Sequence, residues 1–166
     1  IPVRVIDSGT ASIPLGLTAV AAADAARLGA DLDDVADAVA GAKADLLATL
    51  NTLDNLKRGG RIGAAEAFFG GLLNVKPLIT FRDGSVAAAG RVRTRRKALE
   101  ALLDWLSARE NLTRLGIVHG NAPDIDDFVA LVAERATDVP TLVQLAGPVI
   151  GTQAGAGFVG LAVTQT

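Results

Sequence analysis

At 166 residues the chain has the length of one domain with a sizeable core. Half of its residues are hydrophobic, 20% are charged and the formal net charge is −2, the balance of an ordered globular protein with no general attraction to nucleic acid. It has no cysteine and a single histidine, His119, so thiol chemistry, disulfides, thiolate metal sites and a histidine metal cluster are excluded, and no metal or cofactor is expected.

No apolar run approaches the ~20 residues that cross a bilayer, and no secretory signal pattern is present. A cytoplasmic location is therefore expected. The chain opens without an initiator Met, directly on a strand-like run, which reads as a cut start with part of the working protein upstream. Charge is uneven along the chain. Eight of the 16 Lys and Arg residues fall in two clusters, Lys57/Arg58/Arg61 and Arg91/Arg93/Arg95/Arg96/Lys97, while acids gather at Asp31, Asp33, Asp34 and Asp37. Such localisation suits an anion site or a docking patch better than a diffuse field.

In chain order, the β-branched run Val3 to Ile6 predicts a short strand ending in the polar loop Asp7-Ser8-Gly9-Thr10. Gly16 to Gly29 is alanine-rich and helical. Asp31 predicts an N-cap, with Asp33 and Asp34 in the first turn of a helix through about Lys43. Asp45 to Asn51 reads as a buried strand, helix being the alternative. Asp54 to Arg58 is a short helix stopped by Gly59-Gly60, and Ala64 to Leu73 is a helix with an apolar stripe of Phe68, Phe69, Leu72 and Leu73.

Val75 to Phe81 and Val86 to Arg93 form a hairpin around Asp83-Gly84, with Arg91, Arg93 and Arg95 alternating on one face. Ala98 to Ala108 is an amphipathic helix with Leu99, Leu102, Leu103 and Leu106 inward. Leu115 to Val118 is a strand with His119-Gly120-Asn121 after it, Pro123 to Ala136 a helix with acids in its first turn, and Thr141 to Leu145 a strand. Gly147 to Gly157 is a glycine-rich loop and Phe158 to Val163 the last strand. The alternation after residue 96 predicts an α/β fold, a layered sheet with flanking helices.

The stretch Leu56 to Leu78 sets cations beside an apolar run, a pattern suited to a ligand with an anionic head and a greasy body; a loop, core helix and loop is the plain alternative. The segment Gly151 to Gly157 lacks the Lys-Ser/Thr of a P-loop and the dinucleotide spacing. Its backbone and the side chains of Thr152 and Gln153 can still meet a ligand oxygen. Asp7-Ser8 with His119 lacks the nucleophile elbow of a hydrolase, so no catalytic residue is assigned. Trp105 lies on the amphipathic helix as core or subunit contact.

Several segments together resemble the carboxyl-terminal part of the DegV family of fatty-acid-binding proteins. They are Val5-Ile6-Asp7-Ser8 with Ser12 and Gly16; Leu53-Asp54-Asn55-Leu56-Lys57-Arg58-Gly59-Gly60-Arg61-Ile62; Gly71-Leu72-Leu73-Asn74-Val75-Lys76-Pro77-Leu78-Ile79; Asp83-Gly84; Val92-Arg93-Thr94-Arg95-Arg96-Lys97-Ala98; and the terminal glycine segment. The joined pair of long motifs is the specific part of the match.

The resemblance implies a DegV-like α/β fold and a two-domain protein, itself not an enzyme, that holds a long-chain fatty acid between its domains. It presents the carboxylate to a fatty acid kinase for acyl-phosphate and phospholipid synthesis. Residues 1–50 would pack with an amino-terminal domain absent from this sequence, and 51–166 would form the carboxyl-terminal domain. Carried over by motif, Thr152, Gln153, Arg61 and Arg93 would lie at the head group and rim, and Phe69, Leu72, Leu73 and Ile79 would wall the acyl chain. The family pattern has a histidine where this chain has Gln153, which donates hydrogen bonds but cannot become a cation. Two alternatives remain: a small-carbonyl substrate domain of the dihydroxyacetone-kinase type, against which Gln153 argues, and a kinase-docking module with a basic rim.

Overall fold

The computed structural model describes residues 1–69 and 75–165, with only the backbone of Phe69. Its elements are α1 (Ile13–Arg27), α2 (Leu32–Gly41), β1 (Ala44–Thr49), α3 (Asp54–Arg58), α4 (Ala65–Phe69), β2 (Lys76–Arg82), β3 (Ser85–Val92), α5 (Arg95–Ser107), β4 (Leu112–His119), α6 (Ile125–Arg135), β5 (Thr141–Leu145), α7 (Pro148–Ala154) and β6 (Val159–Gln165). The strands form one sheet in the order β3-β2-β1-β6-β4-β5. β4 and β5 pair in parallel, whereas β6 runs antiparallel to both β1 and β4. It follows that β1, β4 and β5 point the same way and end side by side.

Alternating side chains send the strands' apolar groups to two faces. Leu47, Leu115, Ile117, Val159 and Leu161 pack under α5 and α6 through Leu102, Leu106, Phe128 and Val132. On the other face, Leu46, Ala48, Leu50, Ile79 and Val118 meet Ile13 and Leu17 of α1, Leu56 of α3, and Ile62 and Ala65. Helix α2 leans on α1. The result is a three-layer α/β/α arrangement, as the alternation of elements predicts.

Most local signals operate as expected. Asp31 caps α2, its Oδ1 accepting from the Asp33 and Asp34 N–H groups at 2.9 and 3.0 Å. Asp83 and Gly84 take φ of 51° and 72°, the left-handed pair that closes a tight hairpin. The strand reading, rather than the helix alternative, holds at β1, which is buried in mid-sheet and bonded on both sides.

Three expectations are corrected. Residues 1–8 form no strand: Val3 and Val5 are 81% and 94% exposed, with no neighbouring strand to pair with. Arg95 does not continue an arginine face on β3, because the strand ends at Val92 and Thr94 caps α5, accepting from the Lys97 N–H at 3.2 Å. The glycine-rich segment is not all loop, since Pro148–Ala154 is a helix with Pro148 in its first turn. The expected helix Ala64 to Leu73 is described only as Ala65–Phe69; Leu72 and Leu73 lie outside the described residues.

Candidate functional site at the carboxyl ends of the strands

The common ends of β1, β4 and β5 gather three chain segments: residues 50–63 after β1, 120–124 after β4 and 146–158 after β5. In open α/β sheets this edge is where ligands are received. Apolar strand ends terminate here in polar, glycine-containing turns, so the backbone has groups to spare.

Helices α3 and α7 cross at this edge. Gly59, at the end of α3, leaves room for the side chain of Gln153; a Cβ on residue 59 would coincide with the Gln153 amide. Gln153 Oε1 is buried there without a hydrogen-bond partner. The Asn51 amide donates from Nδ2 to Ala156 O at 2.9 Å. The Gly157 N–H donates to Gly120 O at 2.6 Å and the Gly120 N–H to Phe158 O at 2.9 Å, tying the 155–157 turn to the end of β4. Gly155 and Gly157 take φ of 81° and 74°, which this turn requires of glycine.

Three cations fix this cluster through neutral oxygens. Arg58 donates to Asn55 Oδ1, Arg61 Nη1 to Gly59 O at 2.9 Å, and Lys76 Nζ to Asn51 Oδ1 at 3.2 Å. Their charges are oriented but not cancelled. Of the local acids, Glu66 is paired with Lys57 at 3.1 Å, and Asp54 lies exposed in the first turn of α3. This edge therefore carries net positive charge.

The expected rim residues sit as follows. Gln153 is central to the α3–α7 crossing, half-buried. Thr152 is exposed one residue earlier on α7, and its hydroxyl donates to Pro148 O at 2.7 Å, leaving only its lone pairs for another group. Arg61 is exposed with its guanidinium on Gly59 O. Arg93 is exposed just beyond Val92, which pairs with Lys76; it begins two strands from β1, about 10 Å by ordinary strand spacing. Ile79 is buried on the α1/α3 face, flanked by partly buried Phe81, Val86 and Ala88. The side chains of Phe69, Leu72 and Leu73 lie outside the described residues.

Sequence reading missed Asn51, Asn55 and Lys76 as builders of this edge. An asparagine directly after an apolar strand was the available signal. On the α5/α6 side, Arg95 binds Asp124 through two hydrogen bonds of 2.9 and 2.7 Å. The Arg95 guanidinium holds the Asp124 carboxyl below its usual range. Among the described residues no cluster of three or more His, Cys, Asp or Glu could hold a metal ion, and no helix is long and apolar enough to cross a membrane.

Comparison with known proteins agrees with this architecture. The family model described as "Uncharacterised protein, DegV family" matches residues 1–166. A DegV domain-containing protein of Streptomyces coelicolor is 38% identical over 174 aligned residues, covering 99% of this chain and 61% of the relative. A fatty acid binding DegV family protein from Streptococcus agalactiae superposes with a TM-score of 0.85 at 27% identity, covering 98% of this chain and 60% of that one. A DegV family protein from Thermus thermophilus, whose structure is described by its fatty acid binding, gives a TM-score of 0.80 at 32% identity over 98% of this chain and 61% of its own. The chain thus spans about three-fifths of the length of the relatives it matches. Matched along its whole length in sequence and in fold, the chain belongs to the DegV family.

Proposed function

We propose that this chain contributes one wall and the head-group turn of a fatty-acid site, and that the complete protein presents the bound carboxylate to a fatty acid kinase. The observation that carries the reading is the set of cations held by neutral oxygens at the strand ends, beside the apolar α1/α3 face. Arg58, Arg61 and Lys76 keep their charge for an incoming anion, while the partly buried Phe81, Val86 and Ala88 leave apolar surface on the same face of the sheet as α3. The fatty acid binding of the S. agalactiae and T. thermophilus proteins supports the same choice of ligand.

The energetics favour a lipid. Burying one methylene is worth about 0.8 kcal/mol, so a long acyl chain supplies most of the affinity and the head-group contacts mainly set its orientation. Gln153 and Thr152 flank the carboxylate, Arg61 and Arg93 form the rim, and Phe69, Leu72, Leu73 and Ile79 line the tail. In this reading residues 1–50 pack with an upstream domain, which the exposure of Val3 and Val5 supports. In this reading the protein is a cytoplasmic carrier and the chemistry belongs to the kinase.

Native mass spectrometry of the protein purified from cells tests the reading. The expected result is a co-purifying C14–C18 acid, or stoichiometric uptake of added acid. Protein that carries none and takes up none contradicts it.

A further inference from the structure

A second cleft opens on the opposite face of the sheet, between α5 and the β2–β3 hairpin. Its volume is about 460 Å³, within the range of small-molecule sites. Leu47, Leu78, Ala89 and Ala101 form its apolar floor. Asp104 and Trp105, from the last turn of α5, stand along one side.

The charge around this floor is one-sided. Asp45 and Asp104 both line the cleft, and among the described residues Arg109 is the only basic residue of the lining. That guanidinium is already engaged. Its Nη1 donates to Trp105 O at 2.8 Å, its Nη2 lies 3.6 Å from Asp45 Oδ2, and it stacks 3.5 Å from the centroid of the Trp105 ring. Asp104 is exposed, and among the described residues its carboxylate has no ion-pair partner. The last turn of α5 holds no basic residue to answer the partial negative charge of its carbonyl end. The next charged residues along these segments, Lys43, Arg82, Asp83 and Glu110, are two of each sign and do not line the cleft.

This combination selects by charge. An anion entering the cleft meets the uncompensated Asp104 carboxylate and a guanidinium that Asp45 has already claimed. A neutral molecule gains only the apolar floor. A cation with an apolar body gains the floor and the carboxylate together.

We propose that this cleft is a binding site for a small organic ammonium ion. Its apolar body lies on the leucine and alanine floor beside Trp105, and its protonated amine pairs with the Asp104 carboxylate. The assignment is independent of the acyl site.

Trp105 is the only tryptophan of this sequence, so its fluorescence and its indole N–H resonance report occupancy. The probes are 2-phenylethylamine, 2-phenylethanol and phenylacetate, which share one body and are cationic, neutral and anionic at neutral pH. The amine is expected to bind saturably and roughly fivefold tighter than the alcohol, with phenylacetate weaker still. Its advantage over the alcohol should shrink in about 0.5 M salt. Asp104→Asn keeps the shape and removes the charge, and is expected to bring the amine down to the affinity of the alcohol. Ala101→Leu fills the floor and is expected to weaken both, with circular dichroism verifying the fold of each variant. No saturable binding of the amine, equal or tighter binding of the alcohol or phenylacetate, an unchanged preference for the amine in Asp104→Asn, or wild-type affinity in Ala101→Leu overturns the proposal.

Discussion

The α3–α7 crossing and the α5–α6 layer hold most of their cations differently, with Lys57, paired with Glu66, and Arg135, donating to Leu131 O, as the exceptions on the two sides. On the α5–α6 side each arginine that makes an ion pair has a carboxylate: Arg95 with Asp124, Arg96 with Glu100, and Arg109 with Asp45. At the crossing, Arg58, Arg61 and Lys76 are held by an amide oxygen, a backbone carbonyl and a second amide oxygen. Carboxylate pairing neutralises charge and serves the fold. Neutral acceptors hold a cation in place and leave its field available to a ligand. Under the proposed function, this distinction marks Arg58, Arg61 and Lys76 as the cations available to a ligand.

The largest effect is expected at the end of β4, where a new methyl would meet backbone as well as a ring. A Cβ at Gly120 would lie 2.6 Å from Gly155 O and 2.6 Å from the Phe158 ring. Gly120→Ala should destabilise the protein by about 1–3 kcal/mol in urea unfolding, whereas an alanine at exposed Ala133's neighbour Glu134 on α6 should shift it by less than about 0.5 kcal/mol. Charge reversal comes next. Arg61→Glu with Arg93→Glu should lower kinase-coupled acyl-phosphate formation roughly tenfold or more while acyl binding, followed by native mass spectrometry, stays near wild type.

A gentler change acts through Gly59. Its φ of −79° suits alanine, but the new methyl would displace the Gln153 side chain. Gly59→Ala should therefore impair presentation to the kinase more than acyl affinity, which the tail dominates, and urea unfolding should show a smaller loss than for Gly120→Ala.

The smallest expected effect tests the carboxylate-paired side. Asp124 has a folded pKa below its unfolded value, so its pairing stabilises the protein above the unfolded carboxylate range and is lost as pH falls through the folded value. Thermal unfolding from pH 7 downward should show wild type losing its advantage over Asp124→Asn on the acid side of about pH 4. A constant difference between the two at every pH would mean the pair contributes no charge-dependent stability.

Much of this was legible in the sequence. The Asp31 cap, the Asp83-Gly84 hairpin and the leucine stripe of α5 depend on near neighbours, and local patterns describe them well. The motif around Arg61 and Lys76 also pointed to the family. What the sequence concealed was long-range. Helix α7 is short and bounded by glycines, and it is packed against α3, about a hundred residues earlier in the chain. The Asn51 amide reaches Ala156 across 105 residues, a contact no window of sequence contains. Val3 to Ile6 has the composition of a strand, yet a strand needs a neighbour to bond with, and the described residues supply none.

Backbone hydrogen exchange with and without oleate reads both regions of the molecule at once. Slower exchange on binding is expected in residues 55–62 and 151–157, with residues 95–109 unchanged. Protection confined to 95–109, or no change at the α3–α7 crossing while oleate is bound, would contradict the proposed acyl site.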